Sequence, residues 1–215
     1  MSRQEIVEKL EQSGVVAVVR LPSAENLDQI IAALARGGIR ALEITMTTPD
    51  AITIIRNISQ SLPADFLIGA GTVLDAATAE EVILAGAQFV VSPIFDPEII
   101  VMAHKYDKAA LAGAFSATEI FAAWQAGADV VKVFPATVVG PGYFKDIHGP
   151  LPQVKLTPTG GVTIDNAAEF IRCGAVFLGV GTALLDKQLI RNQDWQALEA
   201  RARAFHEAVA GARRK

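Results

Sequence analysis

Asp129-Val130-Val131-Lys132-Val133-Phe134-Pro135-Ala136 is a run of β-branched and aromatic residues interrupted by one cation and closed by a proline. Val and Phe fit a pleated, packed surface, and a short apolar run between turn signals predicts a strand of a parallel sheet covered on both faces. Nothing in such a strand needs an ammonium group. Removing that charge from water costs several kcal/mol unless it is paired or neutralised. Loss of the proton is the least costly relief, and a neutral amine is a nucleophile able to form a Schiff base with a carbonyl compound. The run therefore supplies a strand and a candidate reactive group, Lys132.

Similar runs recur along the chain at intervals of roughly 20–25 residues, over 15–20, 41–45, 66–70, 89–92, 109–113, 130–134, 155–158 and 176–179. Helical apolar spacing separates them, as in Leu27, Ile30, Ile31 and Leu34, or Phe170 and Ile171. Strands alternating with helices predict an α/β fold. Eight such units in about 200 residues predict a closed (β/α)₈ TIM barrel, with a doubly wound open sheet as the alternative. Arg36-Gly37-Gly38, Ala85-Gly86-Ala87, Ala126-Gly127-Ala128 and Cys173-Gly174-Ala175 each supply a glycine where a helix ends. An extra N-terminal helix is expected over 3–12. A last helix is expected from the N-cap Asp194 towards Ala210, with Trp195, Leu198, Phe205 and Val209 on its inner face.

The 215 residues are 51% hydrophobic and 20% charged, enough apolar matter for one large core, and no Pro/Ser-rich linker divides them. One domain over 1–215 is the expectation. No apolar run approaches the ~18 residues of a membrane span. The net charge is −4 and no basic stripe precedes the tail Arg213-Arg214-Lys215, which argues against nucleic acid as a partner and predicts a solvated helix end. The single cysteine, Cys173, excludes an internal disulfide and a cysteine zinc site. The charged start Met1-Ser2-Arg3-Gln4-Glu5 has no signal-peptide core. A cytoplasmic protein fits these features. His104, His148 and His206 have no metal-ligand spacing, so no metal and no cofactor is expected.

Side chains of a barrel strand alternate between the interior and the helix layer. Val130, Lys132 and Phe134 share one face of the sixth strand, Ala41, Glu43 and Thr45 one face of the second, and Val16, Val18 and Arg20 one face of the first. With the larger apolar partners facing the helices, Lys132, Glu43 and Arg20 point inward as a catalytic set. A buried ion network that only holds the barrel together is the alternative, and buried ion pairs stabilise poorly compared with apolar packing. Thr159-Gly160-Gly161 follows the seventh strand and Gly179-Val180-Gly181-Thr182 the eighth. Loops after these two strands form the recurrent phosphate site of such barrels, with backbone N–H groups at a helix N-terminus. Gly69-Ala70-Gly71-Thr72 ends the third strand, where the Thr72 hydroxyl faces the pocket. Ser92-Pro93 ends the fourth, where Pro93 walls it.

At Leu42-Glu43-Ile44-Thr45, Ile68-Gly69-Ala70-Gly71-Thr72-Val73-Leu74, Gly86-Ala87-Gln88-Phe89-Val90-Val91-Ser92-Pro93, Lys132-Val133-Phe134-Pro135 and Pro158-Thr159-Gly160-Gly161-Val162 the chain resembles the 2-keto-3-deoxy-6-phosphogluconate (KDPG) aldolases, some of which also cleave 4-hydroxy-2-oxoglutarate (KHG). The likeness covers about residues 13–187, with the motifs in family order. The resemblance implies a class I aldolase acting on a small keto acid, a homotrimer, needing no metal. It implies Lys132 as the Schiff-base lysine and Glu43 as the general acid/base. Thr72 and Pro93, with Phe134, line the pyruvate pocket, and Thr159, Gly160, Gly161, Gly181 and Thr182 form the phosphate end.

The chain departs from part of that family at three places. Thr47 stands where some members have an arginine, and Arg20 stands where others have one, so the substrate carboxylate is assigned to Arg20 with Thr72 assisting. Ala136-Thr137 replaces a small residue followed by Glu, and Ala112-Gly113 replaces Pro-Gly. Two other readings fit the same residues: a phosphosugar isomerase or synthase in which Lys132 is an electrostatic clamp, and a non-catalytic sugar-phosphate sensor.

Overall fold

A computed structural model describes residues 1–21, 25–63 and 65–214; of the basic tail, Lys215 lies outside the described residues. Eight parallel strands form the sheet: β1 (Val15–Val19), β2 (Ala41–Thr45), β3 (Leu67–Gly71), β4 (Phe89–Val91), β5 (Ala109–Ala114), β6 (Val130–Val133), β7 (Leu156–Pro158) and β8 (Leu178–Val180). Their order is β7-β6-β5-β4-β3-β2-β1-β8. Bridges from Leu156 to Ala175 and from Thr159 to Gly179 join the two ends, so the sheet closes as a (β/α)₈ barrel and the open-sheet alternative falls away. Strand ends differ from the sequence expectation by a residue or two, as hydrophobic runs fade into turns.

Helices alternate with the strands: α1 (Arg3–Ser13), α2 (Leu27–Arg36), α3 (Ala51–Ser59), α4 (Ala76–Leu84), α5 (Pro97–Lys105), α6 (Ala117–Gln125), α7 (Ala136–His148), α8 (Ile164–Arg172), α9 (Lys187–Arg191) and α10 (Trp195–Arg213). Their starts are written locally. Ser2 and Glu5 form a reciprocal capping box on α1, Ser116 and Glu119 another on α6, and the Asp194 carboxylate accepts from Ala197 N at 3.0 Å on α10. Gly86 and Gly174 end α4 and α8 with φ of +116° and +106°, a conformation a β-carbon disfavours.

The core has two parts. Outward strand residues such as Val19, Leu42, Ile44, Val131, Val133 and Leu178 pack against the helices. Inward residues of the lower barrel form a separate cluster with Ile6, Val7 and Leu10 of α1, which plugs the N-terminal end. Helix α10 buries Leu198, Phe205 and Val209, as its pattern predicts, while Trp195 is half-buried. It runs to Arg213, whose guanidinium donates to the carbonyls of Glu11 (2.6 Å) and Val176 (2.7 Å). That helix end is a tether to α1 rather than a freely solvated tail. No helix among the described residues is long and apolar enough to cross a membrane.

Candidate active site

Lys132 lies on β6 between Gly113 of β5 and Thr157 of β7, and Glu43 lies on β2 between Val18 of β1 and Gly69 of β3. Both point inward at the upper, C-terminal end of the barrel. Lys132 is 5% exposed and Glu43 3%. The Phe134 ring, itself partly exposed, overhangs the lysine with its centroid 5.2 Å from Nζ. Burial pushes the Glu43 carboxyl above the usual carboxylate range, and the charges of Lys132 and then Arg20 oppose that rise. The three groups therefore belong to one electrostatic unit. A carboxyl shifted this way changes protonation state closer to neutral pH than a free glutamate, as proton transfer requires.

Close approach of backbone makes the space for Glu43. A methyl group on Gly71 would sit 1.8 Å from Glu43 Oε1. The next residue, Thr72, is β-branched yet has φ +59°, a left-handed conformation costly for such a side chain. Pro93 is half-buried at the mouth and lies directly against Gly113, where an added methyl would come within 2.2 Å of the Pro93 carbonyl carbon.

Arg20 differs from the sequence expectation. The alternation places it inside with Val16 and Val18, but β1 ends at Val19 and Arg20 is exposed on the rim. The guanidinium, with five donors to satisfy, stays where water reaches it. Thr47 is also exposed on the rim, 2.9 Å hydroxyl to hydroxyl from buried Thr45, which in turn donates to Val19 O at 3.3 Å. At the other side of the mouth Thr159, Gly160 and Gly161 precede α8, with Thr163 capping that helix. Gly181 and Thr182 do not start a helix: Leu184 N and Leu185 N close a turn on Gly181 O, and α9 begins only at Lys187. Leu184 and Leu185 are buried there, so the chain turns inward before a helix can begin.

Several residues at this end of the barrel escape the sequence reading. Thr157 points inward beside Lys132, with its hydroxyl donating to Phe177 O at 2.8 Å. Strand alternation carries the signal for it, since Thr157 has the parity of Thr159. Gly71, legible in the sequence only as part of a turn, makes room for Glu43 through an approach between two strands that no local pattern shows. Among the described residues no group of three His, Cys, Asp or Glu side chains comes together as a metal site.

The family model described as "KDPG and KHG aldolase" matches residues 6–201. The chain belongs to the KDPG and KHG aldolase family. A 2-dehydro-3-deoxy-phosphogluconate aldolase of Pseudomonas aeruginosa is 36% identical over 204 residues, covering 94% of this chain and 92% of that protein. Its namesake in Treponema pallidum is 37% identical over 196 residues, 91% and 93% of the two chains. Among solved structures, the KDPG aldolase of Legionella pneumophila, captured at low pH with pyruvate as a covalent carbinolamine intermediate, superposes with a TM-score of 0.86 at 30% identity, covering 93% of this chain and 97% of that one.

Proposed function

We propose that the protein is a lyase, a class I aldolase that cleaves KDPG to pyruvate and glyceraldehyde 3-phosphate, and KHG to pyruvate and glyoxylate. The observation that carries this reading is the burial of Lys132 and Glu43 together in the upper barrel, where apolar residues would stabilise the fold better. The named relatives support it. In the proposed reaction the Lys132 amine attacks C2 of the keto acid, and loss of water gives a protonated imine that accepts electrons. Glu43, as carboxylate, takes the C4 hydroxyl proton through water. The C3–C4 bond breaks, releasing the aldehyde and leaving an enamine. The protonated Glu43 returns its proton to C3, and hydrolysis frees pyruvate and Lys132. Arg20 and Thr47 on the rim with Thr72 serve the substrate carboxylate. Pro93 and Phe134 enclose the pyruvyl part, and Thr159, Gly160, Gly161, Gly181 and Thr182 receive the phosphate.

Borohydride reduction in the presence of pyruvate, followed by peptide mapping, is expected to place the label on Lys132. Label on another lysine, or none, would overturn the imine mechanism.

The same reading extends to a homotrimer. Large apolar side chains are exposed on four consecutive helices, Leu84 and Val101 on α4 and α5, and Phe121, Trp124 and Val138 on α6 and α7. Two different patches on one copy suit a head-to-tail contact that closes into a ring. Light scattering is expected to give three times the chain mass; a monomer at micromolar concentration would refute the ring.

A further inference from the structure

We infer that Thr45 is a positioning residue: its buried hydroxyl grips the end of β1 and so sets where the Arg20 guanidinium meets the carboxylate of the keto acid. The inference rests on the aldolase reading and on the assignment of that carboxylate to Arg20. Thr45 ends β2 on the face that carries Glu43, and it is 1% exposed. A valine would suit such a position without leaving a polar atom to be paired. The register of β1 with β2 ends where Val19 pairs with Ile44, so one residue further along Thr45 stands beside Arg20.

The Thr45 hydroxyl ties the ends of both strands together. It donates to Val19 O at 3.3 Å, and that carbonyl belongs to the peptide unit leading into Arg20. Its oxygen lies 2.9 Å from Thr47 Oγ1 and 3.5 Å from Oγ1 of buried Thr48. The backbone closes the same turn, with Thr48 N donating to Thr45 O at 2.9 Å and Met46 N to Gly71 O at 2.7 Å. The turn after β2 is thus a fixed point, and the end of β1 is fastened to it. Arg20 has no such anchor of its own. Among the described residues no hydrogen bond or ion pair holds its exposed guanidinium, so the place of that group follows from its backbone. Its charge still reaches inside, where it lowers the Glu43 carboxyl against the effect of burial. Paired hydrogen bonds from a guanidinium to a carboxylate demand a defined geometry, which a loosened strand end would spoil.

The experiment measures KM and kcat for KDPG, and the pyruvate concentration that half-saturates borohydride trapping, in Thr45→Val, Thr45→Ser, Arg20→Ala and the double variant of Thr45→Val with Arg20→Ala. Thr45→Val keeps the shape and loses the hydroxyl. It is expected to raise KM and the half-saturating pyruvate concentration about 3–10-fold, with kcat within about twofold. Thr45→Ser keeps the hydroxyl and is expected to keep the wild-type KM. Thr45→Ala repeats the loss of the hydroxyl should the valine variant fail to fold. In the Arg20→Ala background, Thr45→Val is expected to add less than about twofold, because a brace acting through the guanidinium has nothing left to place. Losses that multiply in the double variant, a fall in kcat at unchanged KM, or a serine variant as impaired as the valine one would overturn the inference. An unchanged KM in Arg20→Ala would instead remove the carboxylate assignment, and no trapping of pyruvate on Lys132 in the unsubstituted enzyme would remove the aldolase reading. Either takes the inference with it, and the failures are distinguishable.

Discussion

In the lower barrel the inward positions are Val16, Ala41, Leu67, Phe89, Ala109 and Val130, packed on Ile6, Val7 and Leu10 of the plugging helix. Two residues further along β2 and β6 the same faces carry Glu43 and Lys132, and two further along β3 from Leu67 stands Gly69, then Gly71. The lower layer fills space with hydrocarbon. In the upper layer Gly71 gives way to the Glu43 carboxyl, while Gly69 gives way to the Phe89 ring of the layer below, where the two layers meet. One set of strands thus separates stability from chemistry by height alone, because every second residue of a strand faces the same way and rises by about 6.6 Å per pair. Barrels of this kind carry chemistry at the C-terminal face and stability at the other.

The sharpest test of that division removes chemistry without touching the plug. Glu43→Gln is expected to keep pyruvate trapping on Lys132 yet slow turnover by about 10²–10⁴-fold. Unchanged turnover would take Glu43 out of the mechanism. Its effect on stability has a definite sign. Burial raises the folded-state value, so Glu43 stabilises the fold at pH below the ordinary glutamate range and loses that contribution as pH rises through the raised value. Urea titrations are therefore expected to show the Gln variant gaining on the wild type between acid and neutral pH.

Phe89→Ala attacks the other layer. Phe89 is fully buried in the plug cluster, and its loss is expected to cost about 3–5 kcal/mol of stability. The folded fraction should retain kcat/KM within a few-fold, measured well below its unfolding midpoint. A collapse of kcat in folded protein would show that the two layers are not independent.

The smallest effect is at the rim. The Arg20 guanidinium lowers Glu43, so Arg20→Ala is expected to move the acid limb of the kcat/KM profile upward, by less than about one pH unit for an exposed charge. KM for the keto acid is expected to rise as well. A downward shift of that limb would contradict the electrostatic coupling between rim and interior.

Lys132 and Glu43 are legible in the sequence because strand parity is a local property: with a period of two, the face of each residue follows from its neighbours. The barrel is legible for a similar reason, eight repeats of strand and helix each written in its own apolar pattern. Arg20 shows the limit of parity, since the strand ends one residue before it and the charge settles in water. Thr182 shows another: its glycine-rich context reads as a helix start, but buried Leu184 and Leu185 draw the chain into a turn.

The sequence by itself determined the strand and helix periods, the inward direction of the lysine and the glutamate, and the caps that start the helices. Tertiary structure alone decided that Gly71 gives way to Glu43, that α1 closes the lower barrel, and that Arg213 ties α10 to α1. Those contacts join segments far apart in the chain. Their distances depend on the register between neighbouring strands and on how loops settle over them, which no local pattern of residues encodes.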